Sequence, residues 1–149
     1  MKNVCGLDVH KDSIFMCIIK KNGDKVEEKF GVLTPELDRL RDLLVYHSVG
    51  DIAMESTSIY WVPIWRVLYS DFNIKIVNPY FIKQLPGRKT DVKDAQWIAT
   101  VLQKELIKGS FIPDPIIQEL RLYDRRIFYL NRNLQHAEQN IDLILQRCN

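Results

Sequence analysis

At 149 residues and 46% hydrophobic content, the chain has the length of about one domain and ample material for a core. Charged residues make up 27% and nearly balance at a net +2, which excludes a uniformly basic nucleic-acid coat and leaves only local patches for such contacts. No run approaches the ~18 apolar residues of a membrane span, Met1-Lys2-Asn3 leads straight into a strand, and Cys5, Cys17 and Cys148 lack metal-ligand spacing. These features predict a soluble protein of a reducing cytoplasm with no membrane partner.

Asn3 to Val9 is a short apolar run carrying Asp8 near its end, followed by the polar turn His10-Lys11-Asp12-Ser13 and the β-branched run Ile14 to Lys20. An Asn-Gly signal at Asn22-Gly23 precedes a third strand over Lys25 to Val32, so three strands in tight succession make an antiparallel meander. Thr34 as N-cap, Pro35 at the first helical position and Leu37, Leu40, Leu43 and Leu44 on one face open a helix that ends near His47 to Gly50. Asp51 to Met54 is a short buried strand ending in Glu55, and Ser56-Thr57-Ser58 offers caps for a helix with Tyr60, Trp61, Trp65, Val67 and Leu68. Phe72 to Val77 reads as the fifth strand, closed by Asn78-Pro79, and a short helix spans about Tyr80 to Leu85. After the loop Pro86-Gly87-Arg88-Lys89, Thr90 is the expected N-cap of a helix from Asp91 to about Lys104, with Trp97, Ile98, Val101 and Leu102 as apolar positions. The order β-β-β-α-β-α-β-α predicts an α/β layer with a mixed five-stranded sheet and flanking helices over residues 1–110.

Residues 111–149 have a different texture. Phe111 to Pro115 is a linker, and Ile116, Leu120, Tyr123, Ile127, Leu130, Leu134, Ala137, Ile141, Ile144 and Cys148 then alternate at spacings of four and three. A heptad sustained this long predicts a long C-terminal coiled-coil helix and a homo-oligomer. A helix folded back on its own domain would also need an apolar stripe, though not so strict a two-per-seven period.

Four isolated carboxylates hold the chemistry. Asp8 and Glu55 end strands that can lie side by side and parallel in a sheet of this order, which would bring both acids to one sheet end. Asp91 and Asp94, three residues apart on one helix, can face a shared object. Four converging acids repel unless cations hold them, and a set of oxygen ligands without His or Cys favours Mg²⁺, with Mn²⁺ as substitute. Two such ions ~3.5–4 Å apart serve phosphodiester chemistry. The plainer alternatives are that acids in a first helical turn complement the helix dipole and that acids at strand ends are turn residues, for which Asp12 and Asp51 would serve equally well.

Gly6-Leu7-Asp8-Val9-His10-Lys11, Met54-Glu55-Ser56-Thr57 and Lys89-Thr90-Asp91-Val92-Lys93-Asp94-Ala95 resemble the three motif blocks of the DEDD transposases of insertion-sequence family one-hundred-ten, which include the Piv-type DNA invertases. The resemblance runs from about Asn3 into the heptad helix, and the last block is its most specific part. It implies a ribonuclease H-like, RuvC-like catalytic domain with Mg²⁺ held by Asp8, Glu55, Asp91 and Asp94. It also implies DNA as substrate, oligomeric action, and in many members a structured guide RNA from the element itself. Ser58 stands where the family more often has Gly. Family members continue through the coiled coil into a C-terminal domain with a recombinase serine, whereas this sequence stops at Asn149, which predicts a fragment that does not complete recombination by itself.

Lys83, Arg88, Lys89 and Lys93 crowd the approach to the acids and are candidate phosphate contacts, as are Arg125 and Arg126 off the heptad seam; solvated surface charge is the competing explanation for each. His10 lacks an evident partner and is expected to be solvated. Two alternatives to a transposase domain remain open. One is a stand-alone ribonuclease H-type nuclease such as a junction resolvase, which has no need of the heptad tail. The other is an inactive oligomerising nucleic-acid-binding module, against which the presence of all four carboxylates counts. An actin/hexokinase-type ATPase ranks lower, because bulky Val9-His10-Lys11-Asp12 follows the early acid where a phosphate loop needs small residues.

Overall fold

The computed structural model describes residues 2–85 and 93–148, apart from the side chain of Lys83. Strands β1 (Asn3–Val9), β2 (Ile14–Ile19) and β3 (Lys25–Phe30) form the meander, and helix α1 (Thr34–Tyr46) crosses over to β4 (Val49–Glu55). Helix α2 (Trp61–Leu68) leads to β5 (Asn73–Val77), followed by α3 (Pro79–Gln84), α4 (Asp94–Gln103) and the long α5 (Pro115–Arg147). The five strands lie in the order β3-β2-β1-β4-β5, with β1, β4 and β5 mutually parallel and the meander antiparallel.

Two tight turns set the meander's register. The amide of His10 donates to the Ser13 carbonyl at 2.9 Å, and that of Lys20 donates to Asp24 at 2.9 Å across Gly23, whose φ of 90° few other residues adopt. Asp8 therefore stands opposite Phe15, and Phe15 opposite Lys29. Central β1 buries Val4, Cys5, Leu7 and Val9, whereas edge strand β3 keeps a charged, mostly exposed sequence that discourages further strand pairing.

The sheet is covered on both faces. Arg39 of α1 pairs with Glu28 and lies over the Phe30 ring at 4.7 Å, which puts α1 on the face that carries Leu7, Met16 and Met54. The opposite face carries Val4, Cys17, Ile19, Ala53 and Val77, packed with Trp97, Ile98, Ala99, Val101 and Leu102 of α4. The indole N–H of Trp97 donates to the Ile82 carbonyl at 3.2 Å and ties α4 to α3.

Several element ends differ from expectation. Strand β3 stops at Phe30 because the Gly31 amide donates to the Glu36 carboxylate at 3.2 Å instead of extending the ladder. Thr34 is the first residue of α1, and Leu33, without a side-chain cap, is its N-cap. Ser56 to Ser58 do not cap α2; Ser58 takes a φ of 50° and its carbonyl accepts the Trp61 indole N–H at 3.1 Å. The described part of α4 starts at Asp94 with Lys93 as N-cap, while Thr90 and Asp91, the expected cap and first turn, lie outside the described residues.

The chain divides into two compact units, Met1–Phe111 and Ile112–Asn149. The second is α5, a helix of 33 residues with no buried residue. Its seam positions Ile116, Leu120, Tyr123, Ile127, Leu130, Leu134, Ile141 and Ile144 are between 51% and 69% exposed. No described helix is long and apolar enough to cross a membrane.

Candidate functional site

The last paired positions of β1 and β4 are Leu7 and Met54, so Asp8 and Glu55 follow side by side at the C-terminal end of two parallel strands. Side chains alternate along a strand, so Asp8 shares the face of Gly6 and Glu55 that of Ala53. That is the face covered by α4. A Cβ built on Gly6 would stand 2.2 Å from the Ala95 carbonyl oxygen and 2.4 Å from the Ala99 amide nitrogen. Gly6 therefore lets α4 lie directly on β1, and Ala95 and Ala99 supply the matching small surface. Asp94, the residue before Ala95, is the first of α4 and so stands one residue from the point where α4 crosses Gly6. Strand register thus brings Asp8 and Glu55 to one end of the face that α4 covers, and Asp94 opens that helix.

The Asp8 side chain is 14% exposed, and its carboxylate is 3.0 Å from Nε2 of His10. His10, expected to be solvated, has a second neighbour in the Phe15 ring, met edge-on at 5.8 Å. The Lys29 ammonium lies over the Phe15 ring, 5.0 Å from its centroid. Asp8, Phe15 and Lys29 form one row across three strands, a row that period-two alternation would reveal only once the turns had set the register. Glu55 and Asp94 both have interaction partners, and Glu55 is half-buried while Asp94 is exposed.

Among the described residues no three His, Cys, Asp or Glu side chains close into a metal-holding group. Asp91 lies outside the described residues. The donor set fits a hard divalent cation in its chemistry: carboxylate oxygens, with the Asp8 side chain largely buried, at one end of the sheet. The thiols of Cys5 and Cys17 do not belong to it. Burial pushes Cys5 well up, and pushes Cys17 to about 11 with help from the nearby Glu27 carboxylate.

Of the candidate phosphate contacts, Lys93 is exposed and donates to the Glu27 carboxylate at 2.5 Å, a hydrogen bond that raises its pKa. Lys83 sits in α3, whereas Arg88 and Lys89 lie outside the described residues. Arg125 and Arg126 are exposed on α5, in the second unit.

Comparison with known proteins adds the family and the fold. A family model for DEDD transposases of the IS110 type, described as "Transposase", matches residues 5–149. A structure of Thermus thermophilus RuvC is similar with a TM-score of 0.50 at 12% identity, over 72% of this chain and 99% of that one. T. thermophilus RuvC in complex with a Holliday junction substrate gives 0.48 at 11% identity, covering 74% and 100%. The fowlpox virus Holliday junction resolvase gives 0.45 at 15% identity, covering 70% and 99%. A comparison with curated proteins finds no match. The fold is the RuvC-like variant of the ribonuclease H architecture, extended by a long C-terminal helix.

Proposed function

Because the chain belongs to the DEDD transposase family over residues 5–149, we propose that its first unit is the phosphodiester-cleaving domain of a DNA transposase or recombinase. The observation that carries this reading is the convergence of Asp8 and Glu55 at the ends of adjacent parallel strands, beneath the helix that Asp94 begins. Asp8, Glu55, Asp91 and Asp94 would hold Mg²⁺, or Mn²⁺ in its place, as a pair of ions. Bound there, divalent ions would activate the attacking oxygen and stabilise the leaving one at a DNA phosphate.

The chain's own residues have separable roles. Asp8 and Glu55 are held by the sheet ladder, which keeps two ligands in register without any loop ordering. His10 holds the Asp8 carboxylate from the solvent side. Lys83, Arg88, Lys89, Lys93 and Lys29 would supply phosphate contacts, which set the register of nucleic acid without reading sequence. To meet a phosphate, Lys93 exchanges its bond to Glu27 for one to the backbone of the DNA. Arg125 and Arg126 offer further backbone contacts on α5, and a structured RNA from the same element is a candidate second nucleic acid. The α5 seam pairs with further copies of the chain, giving a cytoplasmic oligomer that associates with DNA.

Metal-dependent nicking of supercoiled plasmid DNA tests the proposal. The intact chain with Mn²⁺ should nick, and Glu55→Gln should lose at least about 100-fold in rate while keeping its circular dichroism spectrum. Undiminished nicking by that variant, or nicking in the presence of a chelator, overturns the assignment.

A further inference from the structure

Helix α5 has no buried residue, and its seam is exposed from Ile116 to Ile144. The residues beside the seam say how a second copy would cover it. We propose that two α5 helices pair antiparallel, with Leu120 against Ile144, Tyr123 against Ile141, Ile127 against Ala137 and Leu130 against Leu134 of the second copy. This rests on the oligomeric reading above and adds its orientation and register.

Core volume supports it. Parallel, in-register pairing would stack Tyr123 on Tyr123 and Ala137 on Ala137, an overfilled layer and a void along one seam. The antiparallel register puts the two tyrosines and the two alanines into separate layers, because Ala137 meets Ile127 and Tyr123 meets Ile141.

The flanks agree. Ile117 and Leu145 stand just off the seam and are 43% and 60% exposed. In the antiparallel register they face each other and extend the apolar strip at both ends, whereas in a parallel pair Leu145 would face Asn140. Glu119 falls opposite Arg147, an attractive pair made twice by the two-fold symmetry, whereas parallel pairing sets Glu119 against Asp124. Asp124 opposite Glu138 is the one unfavourable antiparallel pair, and both side chains sit at the solvated margin. Asn131 and Asn133 each meet their own copy at the centre, where amides can donate and accept mutually. The consequence is that the two helix N-termini lie at opposite ends of the pair, roughly 50 Å apart at 1.5 Å per residue.

Cys148 provides the test. It is the exposed cysteine, with Cys5 and Cys17 buried, so a nitroxide reagent marks the helix end in the unmodified full chain. Sedimentation equilibrium should give a dimer, and pulsed dipolar spectroscopy a label separation of roughly 50 Å. A dimer with labels under about 20 Å apart overturns the orientation and leaves the oligomeric reading standing; a monomer overturns both. As a second arm, Arg147→Glu should weaken dimerisation roughly fivefold and adding Glu119→Arg should restore it. Failure of the double variant to recover overturns the register.

Discussion

Leu7 in β1 and Leu134 in α5 are the same residue type within strongly periodic apolar patterns, yet the first is fully buried and the second is 59% exposed. In the first unit every apolar strand face meets a helix of the same unit, so pattern and burial agree. In the second unit an equally regular pattern covers nothing within its own helix. Periodicity identifies the face a chain must bury; it does not say whether the cover comes from the same unit. The candidate site lies in the first kind of region, where two strand ends are positioned by a packed sheet.

The contrast can be broken most strongly at Leu7. Leu7→Ala should destabilise the first unit by about 3–4 kcal/mol in urea unfolding, because the cavity forms in a closed core. Leu134→Ala should leave that transition unmoved and change only the oligomer mass. A common shift in both variants would mean that the two regions fold as one. Next in size, Gly6→Ala should cost about 3 kcal/mol, since the new methyl group meets helix backbone rather than a flexible side chain. It should also lower metal affinity by lifting the start of α4 away from Asp8. Smallest, and of opposite sign, Ser58→Gly should stabilise the first unit by about 0.5–1 kcal/mol, because a φ of 50° strains any residue with a Cβ. The same φ gives a physical reason for glycine at this position of the motif.

Much of the first unit was legible because local signals and topology pointed the same way. Two short turns and a crossover helix opened by Pro35 sufficed to place β1 beside β4, and hence Asp8 beside Glu55. The row of Asp8, Phe15 and Lys29 was not legible, because cross-strand neighbours depend on register, and a one-residue slip would have turned Phe15 to the other face. The edge-on contact of His10 with Phe15 was hidden for the same reason, whereas its pairing with Asp8, two residues away, is local. Gly6 reads in sequence as an ordinary glycine within a strand; only the approach of Ala95 and Ala99 gives it a role. The expected caps at Thr34 and Ser56 to Ser58 were displaced by hydrogen bonds that competed for the same amides. Thr90 and Asp91 lie outside the described residues, so the one-turn pairing of Asp91 with Asp94 stays an expectation from spacing.

The central claim is that Asp8 and Glu55 share a divalent-metal site with the acids around α4. Calorimetric titration of Mn²⁺ into the intact chain, beside Asp8→Asn and Glu55→Gln, tests it most directly. The intact chain should bind saturably and both variants should not, each with an unfolding midpoint no lower than that of the parent because like-charge repulsion is relieved. Binding that survives Asp8→Asn, or that disappears only because the variant unfolds, would contradict it.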